Sequence, residues 1–225
     1  MKLPLILINF KAYSESVGDK GLKMAKSCEK ISSKYKTTIA VAPQFANLKE
    51  ICSKVKIPVF AQHIDAVEKP GSFTGHVVGS NLKEIGVKGT LINHSERKLN
   101  LGEIKRRITI TKKTGLVSVC CVPTIGFGKK VAKFGPDFIA FEVPELIGTG
   151  RSISKERPGS VKKFVDAVSK ISRRSVPLCG AGISSGDDVK AALELGTKGV
   201  LVASAVVKAK NPEEVLKELV LAVRS

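Results

Sequence analysis

Three short polar clusters stand immediately after apolar runs, and each carries a side chain able to move a proton or hold a charge. Asn9-Phe10-Lys11 follows Leu3–Ile8, Asn93-His94-Ser95-Glu96 follows Gly89–Ile92, and Glu142 follows Asp137–Phe141. Lysine supplies a fixed cation and histidine a proton donor or relay, while a carboxylate set in Phe-Ile-Ala-Phe-Glu-Val-Pro is a base whose pKa partial burial would raise. Asn9 and Lys11, two apart on an extended segment, are expected to point the same way. The runs Val176–Cys179 and Gly199–Ala203 end differently, in Gly180-Ala181-Gly182 and Ala203-Ser204. Small residues let a phosphate approach main-chain N–H groups, and a short helix beginning after the last run would add a favourable dipole. A small phosphorylated molecule suits both halves of this set. Taken singly, His94 is equally a satisfied structural side chain, Glu142 a lysine's partner, and Gly180 and Gly182 turn residues.

The elements that must position these residues are read from hydrophobic period. Eight apolar runs, Leu3–Ile8, Thr38–Ala42, Pro58–Ala61, Gly89–Ile92, Leu116–Val122, Asp137–Phe141, Val176–Cys179 and Gly199–Ala203, read as buried parallel strands. Between and after them lie stretches of helical period: 20–35, 44–54, 81–85, 101–114, 125–134, 159–171, 184–195 and 212–223. Eight strand-then-helix units predict an α/β fold, a closed (β/α)8 barrel, with an open doubly wound sheet as the alternative. Neither G-x-G-x-x-G after the first strand nor G-x-x-x-x-G-K-[ST] occurs, which disfavours the open sheet. In such a barrel the strands' C-terminal ends carry the site, and that is where the polar clusters fall. The 225 residues are fewer than the ~250 usual for the fold, so the third and fifth helices are expected to be short. No linker or low-complexity tract divides the chain, which predicts one domain over residues 1–225.

Composition narrows the partners. Lys and Arg number 38 against 20 Asp and Glu, a formal charge of +18 spread over both halves. Such a balance favours an anionic partner: a phosphorylated metabolite, nucleic acid or a membrane surface. Lys20, Lys23, Lys26, Lys30 and Lys34 form one face of the first helix, read as solvated because no aromatic residues interleave them. MKLPLILINF is too short an apolar stretch for a secretory leader or a membrane span. The five cysteines, at 28, 52, 120, 121 and 179, have no C-x-x-C spacing; they predict neither disulfides nor zinc, and a reducing cytoplasm. Cys120 and Cys121 should point to opposite faces of a strand, and Cys179 reads as a core residue.

Together, Asn9-Phe10-Lys11, Asn93-His94-Ser95-Glu96-Arg97, Phe141-Glu142-Val143-Pro144 with Ile147-Gly148-Thr149-Gly150, and Gly180-Ala181-Gly182 resemble the triosephosphate isomerase family over nearly the whole chain. The short length and Ala203-Ser204 are similar to its archaeal branch. The resemblance implies interconversion of dihydroxyacetone phosphate and glyceraldehyde 3-phosphate through an enediolate, without a cofactor or metal. It makes Glu142 the base, His94 the neutral electrophile, and Lys11 the balancing cation steadied by Glu96. Asn9, Ile147, Gly148, Gly180, Gly182, Ala203 and Ser204 become substrate-binding residues, and residues 143–150 the lid. Phe141 and Val143 stand where Tyr and Pro are expected, which touches loop closure and not the charges; Asn93 stands where glycine is common outside the archaeal branch. The resemblance also implies a homo-oligomer, a tetramer with a dimer as alternative, in which Gly71-Ser72-Phe73-Thr74-Gly75-His76 resembles the loop that reaches a neighbour's site. A membrane or nucleic-acid partner is not expected. Three rivals stay open at this stage: an aldolase with Lys11 as Schiff base, a metal-dependent hydrolase using His63, His76 and His94, and a basic nucleic-acid-binding barrel.

Overall fold

A computed structural model describes residues 1–224. Eight parallel strands form the sheet: β1 (Leu5–Asn9), β2 (Thr38–Ala42), β3 (Phe60–Ala61), β4 (Gly89–Ile92), β5 (Val117–Val122), β6 (Phe138–Phe141), β7 (Val176–Cys179) and β8 (Gly199–Val202). Their spatial order is β2-β1-β8-β7-β6-β5-β4-β3, and a bridge between Val41 and Val59 joins β2 to β3 and closes the ring. The barrel reading therefore holds. Pairing is uneven around it: β1 and β2 pair along five residues, whereas β7 meets β8 in register only at Cys179–Val200.

The helices are α1 (Asp19–Tyr35), α2 (Phe45–Lys54), α3 (Gly79–Glu84), α4 (Leu101–Thr114), α5 (Ile125–Ala132), α6 (Ile153–Glu156), α7 (Pro158–Ile171), α8 (Gly186–Glu194), α9 (Ser204–Val207) and α10 (Pro212–Arg224). With 6 and 8 residues, α3 and α5 are indeed short. The single-turn helices α6 and α9, and 3-10 turns at Ser14–Ser16 and Pro144–Leu146, lie in loops where hydrophobic period carries no signal. Local chemistry sets several boundaries. Asn100 and Glu103 cap the start of α4 reciprocally, Ser185 and Asp188 do the same for α8, and Gly115 ends α4 in the left-handed conformation at φ 67°.

Strand residues alternate between two cores, as a period of two requires. Leu5, Leu7, Ala40, Phe60, Leu91, Cys121, Ala140 and Leu201 fill the barrel, while Ile6, Ile8, Val41, Cys120, Ile139 and Phe141 pack outward under the helices. Cys120 and Cys121 do face opposite ways, and Cys179 is fully buried. The glycine beginning β8 is sterically imposed: a Cβ at Gly199 would stand 2.1 Å from the Leu5 carbonyl oxygen, at φ 147°.

Charge is not distributed evenly between the two ends. The segments that lead into the strands carry Lys2, Lys36, Lys56, Lys88, Lys133, Arg173, Arg174 and Lys198, all exposed. The carboxylate among them, Asp137, is taken up by Arg174 at 3.3 Å and by Ser118. The end of the barrel opposite the polar clusters is thus ringed with cations.

Candidate active site

The C-terminal ends of the strands enclose a cleft of about 260 Å³. Its walls include Asn9 from β1 and Lys11 just past it, His94 after β4, Glu142 after β6, Ile147 and Gly148 from the following loop, Gly180 and Gly182 after β7, and Ala203 and Ser204 after β8. Of the residues expected to bind or react, only Glu96 lies off this wall, behind Lys11. The Lys11 Nζ meets Glu96 Oε1 at 2.7 Å.

Lys11 reaches the cleft by a different route from the one its spacing suggests. It is not extended: its φ is 47°, a left-handed conformation. The surrounding chain holds it there, because Asn9 Oδ1 accepts the Lys11 N–H at 2.9 Å and Gln62 Nε2 donates to the Lys11 carbonyl at 2.9 Å. Such a residue is strained unless its neighbours impose it, and here both neighbours are polar side chains at the mouth.

His94 is buried between two carboxylates. Its Nε2 lies 3.6 Å from Glu142 Oε1, and its Nδ1 lies 3.6 Å from Glu96 Oε2. The Glu96 N–H donates to Nδ1 at 3.2 Å, so Nδ1 is the acceptor and the neutral ring carries its proton on Nε2, facing the cleft. The preceding Asn93 has φ 60°; its Nδ2 donates to the Cys121 carbonyl at 2.8 Å and its Oδ1 accepts the Leu99 N–H at 2.7 Å. An asparagine tolerates this conformation and adds two bonds that a glycine could not.

Glu142 is 3% exposed, and its Oε2 is a buried oxygen without a hydrogen-bond partner among the described residues. Burial pushes its carboxyl above the ordinary range, against the downward pull of His94, the Cys121 thiol and Lys11. Gly180 makes room for it: a Cβ there would lie 2.8 Å from Glu142 Cγ. Phe141, where Tyr was expected, turns outward and stacks on Phe164 with centroids 4.8 Å apart.

After Glu142 the chain makes the 3-10 turn, buries Leu146, and exposes Gly148, Thr149 and Gly150. Gly148 and Gly150 have φ 76° and 72° with open space where a Cβ would be, so conformation and not crowding demands glycine. Gly182 answers to both constraints, since its φ is 70° and a Cβ would come 1.9 Å from the Arg151 carbonyl oxygen. Ser184 and Ile183 also line the cleft and had no signal of their own in the sequence. Ser184 Oγ donates to the Gly150 carbonyl at 3.3 Å, tying the far end of the loop to the β7 tip. Behind it Asp188 gathers the N–H groups of Ser184 and Ser185 and the Lys155 ammonium; though burial opposes it, these donors hold its carboxyl below the usual range.

The histidines weighed together as metal ligands do not share a role. His63 Nε2 pairs with Asp65 at 3.0 Å, and Arg107 Nε donates to the Ile64 carbonyl at 2.7 Å, bracing the start of the loop that carries exposed His76.

The chain matches known proteins along nearly its whole length. The triosephosphate isomerase family profile matches residues 4–220. The chain is 52% identical over 216 residues to "Triosephosphate isomerase" of Methanocaldococcus jannaschii, covering 96% of this chain and 98% of that one. It is 46% identical over 220 residues to the protein of the same name from Methanosarcina barkeri, covering 98% and 99%. A third, from Pyrobaculum calidifontis, is 46% identical over 219 residues, covering 97% and 96%.

Proposed function

The chain belongs to the triosephosphate isomerase family and interconverts triose phosphates, and we propose that Glu142, His94 and Lys11 carry that reaction through an enediolate. Glu142 removes a proton from the hydroxymethyl carbon of dihydroxyacetone phosphate and returns it to the neighbouring carbon, giving D-glyceraldehyde 3-phosphate. The pair electrons of the broken C–H bond pass into the enediolate, and the carbonyl oxygen gains negative charge. The His94 Nε2–H donates to that oxygen and passes protons between the two oxygens, so no charged imidazole is needed at rest. Lys11, held by Glu96 and Asn9, balances the developing anion and the phosphate.

The observation that carries this reading is one carboxylate, Glu142, 3% exposed, with its Oε1 3.6 Å from His94 Nε2. A desolvated carboxylate is a stronger base than an exposed one, and the histidine proton stands where charge develops. Gly148, Gly180, Gly182, Ala203 and Ser204 line the part of the cleft suited to the phosphate, and Ile147 covers the carbon skeleton. Closure of residues 143–150 excludes water, which protects the enediolate phosphate from losing its phosphate group.

An oligomer, with a tetramer expected, fits a second cavity of about 220 Å³ beside Lys11, Gln62, Glu96 and Arg97. Residues 71–76 are exposed, with Phe73 at 45%, and the tip of a second copy suits that cavity. A role in sugar-phosphate metabolism of the cytoplasm follows from the substrate.

A coupled assay of triose phosphate turnover tests the assignment. Glu142→Asp withdraws the carboxylate by about 1 Å and should lower kcat by about 10²-fold with little change in KM. An unchanged kcat would remove Glu142 from the role of base.

A further inference from the structure

We propose that the cationic ring at the strands' N-terminal end, opposite the active site, is a binding surface for single-stranded RNA recognised through its phosphodiester backbone. Isomerisation does not account for this charge, because a small dianion binds at the other end of the barrel.

Helix ends do not account for it either. The carbonyl end of each helix carries about half a negative charge. Lysines in the last turns, among them Lys34, Lys54, Lys83, Lys112 and Lys170, already face those ends. Two of them cap carbonyls directly: Lys83 Nζ donates to Gly115 at 3.0 Å and Lys112 Nζ to Phe134 at 2.7 Å. The ring residues come on top of these. Lys2, Lys36, Lys56, Lys88 and Lys198 form no side-chain ion pair among the described residues, so their charge is available to a partner.

Lys36 makes the excess more pointed. It ends α1 in the left-handed conformation at φ 52°, the place where α4 uses Gly115. Glycine fits that backbone at lower cost, and the chain keeps a lysine there.

Shape selects among polyanions. Lys2, Lys36 and Lys56 converge on a groove of about 490 Å³ whose wall includes the hydroxyl residues Ser33 and Thr38. The carboxylate in it, Glu29, is bonded to the Lys56 N–H at 2.5 Å. Hydroxyls and lysines are the donors that phosphodiester oxygens take. A strand can lie in a groove and continue past the outlying cations, whereas a flat bilayer reaches only the rim.

The test is fluorescence anisotropy with a labelled single-stranded RNA of mixed sequence, titrated from low to physiological salt. Wild type is expected to bind with a steep inverse salt dependence, at a slope of about −0.7 per phosphate neutralised. The triple variant Lys36→Glu, Lys56→Glu, Lys198→Glu should bind at least about 10-fold more weakly, while Lys20→Glu, Lys23→Glu, Lys26→Glu, which changes net charge equally on the outer face of α1, should lose far less. The corresponding glutamine variants repeat the comparison if charge reversal impairs folding, with triose phosphate turnover as the check on the fold. Equal losses in the two triples would mean generic attraction and overturn the proposal. So would displacement of RNA by triose phosphate, or binding to phosphatidylserine vesicles as tight as to RNA.

Discussion

Glu142 sits under two opposed demands. Burial raises its carboxyl pKa, which strengthens it as a base and penalises its ionised form in the fold. As the proposed base the carboxylate must be ionised, so kcat/KM should fall as pH drops through a value above the ordinary 4.5, and the acidic limb of a pH–rate profile locates it. For stability the sign is reversed. A folded pKa raised above the unfolded one means the native state binds the proton more tightly, so the penalty is absent below the unfolded pKa and grows as pH rises through the folded one. Glu142→Gln should therefore abolish turnover yet raise the melting temperature by a few degrees at neutral pH, with no gain near pH 4, as calorimetry at the two pH values would show. At this scale most of the candidate site was legible, since Asn9, Lys11, His94 and Glu142 are polar residues that directly follow or end apolar runs. What was not legible is how Lys11 points inward. A residue two places from Asn9 on a straight strand would do so by alternation; this one does so through a left-handed turn held by Asn9 and by Gln62, the latter distant in sequence.

Among the elements, loops behave differently from strands and helices in what the sequence reveals. The spans of α4, β2, β4 and β7 coincide with those of their periodic runs, and no other boundary differs by more than two residues. The α6 turn, the 3-10 turns and the Ser184–Gly150 tether have no periodic pattern; they exist because tertiary neighbours supply their partners. Two glycine substitutions separate the loops' roles. Gly148→Ala keeps the fold but places a Cβ at φ 76° in open space, at a cost of about 1–2 kcal/mol borne by the loop alone, so kcat/KM should fall while the melting temperature hardly moves. Gly182→Ala collides with the Arg151 carbonyl, so it should lower both, and comparing turnover with thermal unfolding distinguishes them. Asp188→Asn removes the charge that collects Ser184, Ser185 and Lys155 from α8, α6 and the β7 tip. It should cost about 1–3 kcal/mol in denaturant unfolding and raise KM through the phosphate side of the cleft.

At the level of the whole molecule, light scattering should report a homo-oligomer, and in one whose partner tips meet Lys11, deletion of residues 72–75 should both lower the mass and depress turnover. A monomer mass for the intact chain would remove that support. The opening reading of charge also changes at this scale. Along the chain the excess is spread over both halves; the closed topology collects cations from the segments before every strand but β5 at a single end. The uneven pairing of the strands has a separate effect on how the molecule comes apart. Its two thinnest seams, β2 with β3 and β7 with β8, part the ring into a block made from both chain ends and a block made from the middle. The first carries Asn9, Lys11, Ala203 and Ser204, the second His94, Glu142, Gly180 and Gly182. Amide exchange should be fastest along those seams, and breathing there would draw Lys11 away from Glu142 and His94, so turnover should be lost while each block is still folded.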